Sequence, residues 1–255
     1  MKSISEIQLH ASKIVREAGK IARGWFGRTS ILEVKEGFDP VTQADKEIDQ
    51  FVREKLSQPF PTHGFVTEED KDKAADSEYV WVLDPIDGTK HFAGEIPLYS
   101  ICLALKHRGE TVLGVVYDPE SNQYFEAIEG QSQRNGKPIS VSPKTTLDQC
   151  LVCVEVPNME SLDAVRERAL DWYGRLNRAC RRVRILGISG LDLAYCASGG
   201  FDAYARLGCP TKEWDVAAGF YIVKQAGGEV RHEPNDLIVA GSTALCDELL
   251  EVLND

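Results

Sequence analysis

Four short acidic segments contain the residues best suited to chemistry, and each lies where one secondary-structure element is expected to end and the next to begin. Taken singly, each has a structural explanation: Asp45 completes a helix capping box with Thr42, Glu68 begins a charged loop, and Asp215 can cap a helix. Taken together, they supply enough carboxylates to hold divalent cations. The segments are Asp39-Pro-Val-Thr-Gln-Ala-Asp45, Thr67-Glu68-Glu69-Asp70, Asp84-Pro-Ile-Asp-Gly-Thr89 and Trp214-Asp215.

The segment at Asp84 is the most informative of the four. A buried apolar strand ends at Asp84, and Asp87 follows three residues later. Pro85 stiffens the turn, Gly88 permits close backbone approach, and Thr89 supplies a hydroxyl beside outward-pointing amides. Mg²⁺ prefers oxygen ligands, and two such ions can stabilise both the attacking and the leaving oxygen of a displacement. The segment therefore predicts a site for divalent cations and a phosphate.

The order and spacing of these motifs resemble the inositol monophosphatase family. The likeness covers nearly the whole chain, from the first helix to Gly228, and the combination of motifs is highly specific although no single one is. It rests on the segments at 39–45 and 68–69, on Trp81-Val-Leu-Asp-Pro-Ile-Asp-Gly-Thr89, on Trp214-Asp-Val-Ala-Ala-Gly219, and on the glycine-containing segments 114–117 and 225–228.

The resemblance implies a Mg²⁺-dependent phosphomonoesterase that uses metal-activated water and two to three ions. Glu68, Asp84 and the backbone carbonyl of Ile86 would hold one ion. Asp84, Asp87 and Asp215 would hold the second, and a third, weaker ion would lie near Glu68.

The resemblance also implies catalytic and substrate-binding roles. Asp45 would orient Thr89, and Thr89 with Glu68 would position and deprotonate the attacking water. The amides of Gly88 and Thr89 would bind phosphate, and Asp215 would face the substrate. Asp45 as a simple helix cap remains the alternative.

The substrate stays open, because the chain departs from the inositol pattern near Arg206. The family places an acidic residue there that grips substrate hydroxyls. The stretch from Tyr204 to Asp215 is more similar to the branch that hydrolyses 3′-phosphoadenosine 5′-phosphate, and Lys90 agrees with it. Asp192 does not, because that branch usually has a lysine there, and Lys90 also occurs in histidinol-phosphate phosphatases.

Two interpretations of Arg206 follow. It binds a second phosphate, together with Lys212, or it is an exposed strand residue. His91, beside the phosphate turn, either contacts substrate or lies on the surface. We expect an inositol monophosphatase-type phosphoric monoester hydrolase. The alternatives are a 3′(2′),5′-bisphosphate nucleotidase, a histidinol-phosphate phosphatase, or a non-enzymatic regulatory protein on the same fold.

The elements that must position these residues follow from periodicity. Apolar residues at helical spacing predict helices over residues 4–22 and from Thr42, and Ser189 and Asp215 are expected to begin two more. Three runs between residues 101 and 128 predict an antiparallel meander. Strands alternate with helices after about Ser142. We therefore expect an α+β fold, a layered αβαβα sandwich, with an α+β half over 1–142 and an α/β half over 143–255.

Composition limits the partners. The 255 residues carry a net charge of −11, which disfavours nucleic acid and anionic membranes. The longest apolar stretches are far shorter than the roughly 20 residues of a membrane span, and no signal peptide is evident. The 7 cysteines, including Cys150 and Cys153, are expected to be buried free thiols of a reducing compartment. We expect a cytoplasmic homodimer acting on a small phosphorylated metabolite.

Overall fold

The computed structural model describes residues 3–28, 31–35, 39–69, 76–158 and 161–254. Asp70, the last residue of the second acidic segment, lies outside these ranges. The helices of the described residues are α1 (Ile4–Trp25), α2 (Gln43–Ser57), α3 (Thr89–Ala93), α4 (Asp163–Ala179), α5 (Ser189–Ala197), α6 (Glu213–Gln225) and α7 (Thr243–Asn254). The strands are β1 (Ile31–Lys35), β2 (Asp39–Thr42), β3 (Gly64–Thr67), β4 (Tyr79–Asp87), β5 (Ser100–His107), β6 (Glu110–Asp118), β7 (Gln123–Ile128), β8 (Gln131–Arg134), β9 (Lys137–Pro138), β10 (Leu151–Glu155), β11 (Arg182–Arg184), β12 (Ala203–Leu207), β13 (Glu229–Glu233) and β14 (Leu237–Gly241).

Two sheets and three helical layers form the predicted αβαβα sandwich, which is confirmed. The first sheet has seven strands in the order β3-β4-β5-β6-β7-β8-β9, and the second has five in the order β11-β10-β12-β14-β13. Helices α1 and α2 share one apolar core with the outer face of the first sheet. Helices α5 and α6 lie between the sheets, and α4 and α7 cover the outer face of the second. The expected division into halves at residue 142 falls between the two sheets and stays a prediction.

Helix α5 of the middle layer is buried on nearly all sides because it has a sheet on each face. Eight of the nine residues of α5 are buried. The predicted meander is confirmed, since β5, β6 and β7 pair antiparallel in sequence. Strand β3 pairs parallel to β4, so the carboxyl ends of these two strands meet at one edge of the sheet.

Two helix starts differ from the sequence expectation. The N-cap of α5 is Ile188, so Ser189 is the first helical residue and makes no capping bond. Its hydroxyl accepts a hydrogen bond from Arg206 instead, at 3.0 Å. The N-cap of α6 is Lys212, which makes Asp215 the third helical residue rather than the cap. In both cases the polar side chain lines a cavity at the N-terminal end of the helix instead of capping the helix.

The cysteines are all buried and unpaired, as predicted. Cys150 packs in the core between the second sheet and helices α4 and α7, whereas Cys153 packs in the core between the two sheets. Among the described helices, none has the length and apolar character needed to cross a lipid bilayer.

Candidate active site

The two aspartates of the third acidic segment share one face of the first sheet because β4 contains a bulge. Residues three apart in a regular strand point to opposite faces. Here Asp84 is opposite Cys102 and Asp87 is opposite Ser100, with a register shift between the two pairs. The extra residue on β4 turns both carboxylates toward the middle layer. The sequence predicts that the strand stops at Asp84-Pro85, which is wrong: the strand continues through this bulge to Asp87.

Glu68 and Asp215 reach the same place from other elements. Glu68 follows β3, and its amide donates to the carbonyl of Leu83 at 3.3 Å, which places it beside the carboxyl end of β4. Asp215 is in the first turn of α6, where a carboxylate is favourable because of the helix dipole. Seven of the sequence-predicted residues line one cavity of about 220 Å³: Glu68, Asp84, Ile86, Asp87, Gly88, Thr89 and Asp215.

Burial and mutual repulsion raise the pKa of each of three aspartates in this cavity. Burial raises the pKa of Asp84 well above its usual range, and the charges of Glu68, Asp87 and Asp215 add to the effect. Burial and the charge of Asp215 raise the pKa of Asp87 to about 8. Burial raises the pKa of Asp215 to about 6, although the positive charge of Arg206 opposes the shift. The protein therefore concentrates negative charge where only a cation or protons can neutralise it.

Asp45 contacts both partners that the two sequence interpretations assign to it, Thr42 and Thr89. One carboxylate oxygen, Oδ2, accepts from the Thr42 amide at 2.8 Å and completes the capping box of α2. The other, Oδ1, lies 3.4 Å from the Thr89 hydroxyl oxygen, whose shorter contact, at 2.8 Å, is with the carbonyl of Ile86. Asp45 is fully buried, and burial raises its pKa to about 7. The capping box therefore holds the carboxylate of Asp45 next to the hydroxyl of Thr89.

The donor set fits a hard divalent cation. Oδ1 of Asp84 is buried and has no hydrogen-bond partner. Carboxylate and carbonyl oxygens at this cavity are the ligands that Mg²⁺ takes. Within the described ranges, no three His, Cys, Asp or Glu side chains lie close enough together to hold a metal ion by themselves.

Asp87 accepts hydrogen bonds from helix α5 and from the neighbouring strand β5. Its Oδ2 accepts from the amide of Gly190 at 2.7 Å and from the Ser100 hydroxyl at 3.0 Å. Gly190 must be a glycine for this contact, because a Cβ there would lie 2.3 Å from the Cys102 sulfur and 2.8 Å from Oδ2 of Asp87. The first turn of α5 therefore packs directly on the carboxylate.

Comparison with known proteins decides the family. The family model described as "Inositol monophosphatase family" matches residues 3–244. The chain belongs to the inositol monophosphatase family. It is 34% identical over 224 residues to the "Nus factor SuhB" of Pasteurella multocida, covering 86% of this chain and 82% of that protein. It is 32% identical over 252 residues to the "fructose-1,6-bisphosphatase/inositol-1-monophosphatase" of Thermotoga maritima, covering 95% and 94%. The crystal structure of the "extragenic suppressor protein suhB" of Bartonella henselae superposes with a TM-score of 0.91 at 27% identity, covering 98% of this chain and 99% of that one.

Beside the acidic cavity, this member of the inositol monophosphatase family has a second, larger cavity of about 630 Å³. Lys90, Gly187 and Asp215 line both, so the two are adjacent. Arg206 and Lys212 also line the larger cavity. His91 lies at the acidic cavity, and burial lowers its pKa.

Arg206 differs from the sequence expectation of an exposed strand residue, which is wrong. It is only 6% exposed and its guanidinium pairs with Glu155 at 2.7 Å. Sequence reasoning missed Glu155, Ser189 and Gly190, which support the site without belonging to a motif. Of these three residues, only Glu155 has a signal in the sequence: an acidic residue at the end of an apolar strand, as at Asp84.

Proposed function

We propose that this protein is a Mg²⁺-dependent phosphomonoesterase for small phosphorylated metabolites, of inositol monophosphatase type. The observation that carries the proposal is the convergence of Glu68, Asp84, Asp87 and Asp215 on one small cavity. Thr89 lines the same cavity, with Asp45 fixed behind it. Membership of the inositol monophosphatase family supports the same chemistry.

The proposed metal ligands are those that the resemblance implied. Glu68, Asp84 and the carbonyl of Ile86 would hold one ion, and Asp84, Asp87 and Asp215 a second. Bound there, Mg²⁺ supplies positive charge that offsets the phosphate and lowers the pKa of water. The orphaned oxygen of Asp84 and the raised pKa values of its neighbours agree with such ions.

The chain's own residues would do the rest. Glu68 and the Thr89 hydroxyl, which both line the cavity, would hold and deprotonate the attacking water. Asp45, with a pKa of about 7, can accept the hydroxyl hydrogen of Thr89 near neutral pH. Gly88 has a left-handed backbone conformation, with φ 96°, and its turn lines the cavity. The phosphate would lie against Gly88 and Thr89.

The larger neighbouring cavity would receive the leaving alcohol. The two cavities share Lys90, Gly187 and Asp215, so an alcohol in the larger cavity would lie next to a phosphate in the acidic one. The volume of the larger cavity accommodates an inositol or sugar ring and also a larger group. The relative from Thermotoga maritima, whose printed name joins two such activities, makes inositol monophosphate and fructose 1,6-bisphosphate the first substrates to test.

The test is release of inorganic phosphate with and without Mg²⁺. The substrates are inositol 1-phosphate, fructose 1,6-bisphosphate, 3′-phosphoadenosine 5′-phosphate and histidinol phosphate. We expect Asp84→Asn and Asp87→Asn each to lower kcat at least about a hundredfold, because metal ligands set both the nucleophile and the charge stabilisation.

Asp171→Asn is the matched control, because this aspartate is 55% exposed on α4 and pairs with Arg175 along the helix. Turnover like that of the unmodified protein in either cavity variant, at saturating Mg²⁺, would refute the proposal. So would the absence of Mg²⁺-dependent phosphate release from every substrate.

A regulatory function is a second candidate, and one observation favours it: the similarity to proteins named Nus factor SuhB. A purely regulatory protein on this fold would have no need for an intact set of acidic residues. Complementation of a suhB deletion by the Asp84→Asn variant distinguishes the two. A regulatory role survives the substitution, whereas a role that depends on phosphatase activity does not.

A further inference from the structure

Arg206 lies inside the protein, opposite an acid on the neighbouring strand. Strands β10 and β12 run parallel with Glu155 opposite Arg206 in register. Their side chains pair at 2.7 Å, and both are about nine-tenths buried. The other oxygen of Glu155 accepts from the Tyr204 hydroxyl at 2.9 Å. The charge of Arg206 is therefore balanced within the protein.

The guanidinium has five N–H groups, and four of them donate hydrogen bonds to protein atoms. Nη1 donates to Glu155 and, at 3.0 Å, to the Ser189 hydroxyl. Nε donates to the carbonyl of Cys209 at 3.3 Å, and Nη2 donates to the carbonyl of Pro210 at 2.8 Å. The remaining direction of Nη2 is toward Oδ2 of Asp215, 3.7 Å away. A substrate phosphate could therefore bind two N–H groups of this fork at once only by displacing at least one of these partners.

These contacts connect Arg206 to Asp215 by two routes. The direct route is the 3.7 Å charge contact. The indirect route runs through the loop before α6: Arg206 holds the carbonyls of Cys209 and Pro210, and the loop ends at Lys212, whose backbone amide hydrogen bonds to Asp215.

A third connection leads to Asp87. Arg206 holds the hydroxyl of Ser189, and the next residue, Gly190, donates its amide to Asp87 at 2.7 Å. Asp87 comes from the first sheet and Asp215 from the middle helical layer. Arg206 is thus bonded to the loop that leads to Asp215 and to the first turn of α5, which holds Asp87.

We propose that Arg206 is a positioning residue, which fixes Asp215 and the first turn of α5 relative to Asp87, and that it does not bind a substrate phosphate. The proposal rests on the proposed function only for the identity of the ion that Asp87 and Asp215 would share. It predicts that the shape of the guanidinium matters and not only its charge. A lysine ammonium at position 206 keeps the charge, but it cannot reach Glu155, Ser189 and two carbonyls at once.

The experiment compares the unmodified protein with Arg206→Lys, using Mg²⁺ alone as the probe. The full-length proteins are stripped with a chelator and titrated with Mg²⁺ by calorimetry, without substrate. We expect the Mg²⁺ dissociation constant of Arg206→Lys to rise about tenfold or more, as when groups that orient metal ligands are removed. Arg231→Lys is the control, because Arg231 also bridges two acids, Glu229 and Asp247, but on the far strand β13.

Steady-state kinetics separate positioning from phosphate binding. For positioning, kcat falls by a similar factor for inositol 1-phosphate and for fructose 1,6-bisphosphate, and the ratio of their KM values does not change. An unchanged Mg²⁺ affinity, with a raised KM confined to the bisphosphate, would overturn the proposal. If no substrate is hydrolysed, the proposed function fails, and the Mg²⁺ titration still decides the role of Arg206.

Glu155→Gln gives a second test in case Arg206→Lys does not fold. Without its counter-charge, the guanidinium competes with Mg²⁺ for Asp215, so we expect weaker Mg²⁺ binding here too. If Arg206 instead binds phosphate, the same substitution frees it and lowers the KM of the bisphosphate. That result, with unchanged Mg²⁺ affinity, would also overturn the proposal.

Discussion

Asp45 provides a test in which stability and activity are expected to move in opposite directions. Burial raises the pKa of this carboxyl from 3.8 to about 7. Because the folded pKa is above the unfolded one, the contribution of the group to stability is complete below about pH 4 and is lost as the pH rises to about 7. At pH 8 the folded protein therefore contains an ionised carboxylate that burial disfavours. Asp45→Asn removes this charge and keeps an oxygen that can accept from Thr42.

The magnitude follows from the size of the shift. A shift of about 3 pKa units corresponds to an upper limit of about 4 kcal/mol, at about 1.4 kcal/mol per unit. The asparagine makes weaker hydrogen bonds than the carboxylate, so we expect the metal-free variant to be about 2 kcal/mol more stable than the unmodified protein at pH 8. For a chain of this size that is about 4–8 °C in Tm. At pH 5, where the buried carboxyl is mostly protonated, the difference is expected to shrink.

The assay is thermal and urea unfolding, followed by circular dichroism in excess chelator at pH 5 and pH 8, with Asp171→Asn as the control. Phosphate release with saturating Mg²⁺ is measured on the same preparations. We expect kcat of Asp45→Asn to fall about a hundredfold, because an amide cannot take the hydrogen of Thr89. The reasoning is refuted if the variant is less stable at pH 8, or if its stability differs from that of the unmodified protein by the same amount at both pH values.

Two further outcomes are expected. Gly190→Ala should destabilise the protein by about 1–3 kcal/mol and weaken Mg²⁺ binding, because the new Cβ overlaps the Cys102 sulfur. Adding Cys102→Ala should recover part of the lost Tm, and no recovery would contradict the steric argument. Burial lowers the pKa of His63, so its contribution to stability is complete above its unfolded value near 6.5 and is lost as the pH falls from there through the lowered folded pKa. Urea unfolding at pH 7 and pH 5 should therefore show a smaller decrease for His63→Gln than for the unmodified protein, and equal decreases would contradict the assignment.

Local patterns in the sequence predict the elements and where the acids follow them. The helical spacing of apolar residues predicts α1 and α2, and the alternation of strands and helices predicts the layers. The shared face of Asp84 and Asp87 is not predictable in this way, because alternation assigns residues three apart to opposite faces. Only the pairing with Ser100 and Cys102 on β5 reveals the bulge.

Side chains whose partners are distant in sequence account for the remaining differences. Ser189 has the residue type of an N-cap, but Arg206 bonds its hydroxyl. Arg206 resembles a surface or ligand-binding residue until the parallel register of β10 and β12 places Glu155 opposite it. Such long-range registers depend on the packing of whole sheets, so a local pattern carries no sign of them.

The division of the carboxylates between two layers has a consequence for how the chain folds. Glu68, Asp84 and Asp87 are brought together when the first sheet forms, but Asp215 joins them only when α6 docks between the sheets. A cation that needs Asp215 as well as Asp84 and Asp87 would therefore bind the fully docked chain and no earlier intermediate. At a concentration 100 times its dissociation constant, such a cation would stabilise the docked state by about 2.7 kcal/mol. Divalent cations would then act late in folding, by slowing the separation of the middle layer from the first sheet rather than by speeding its formation.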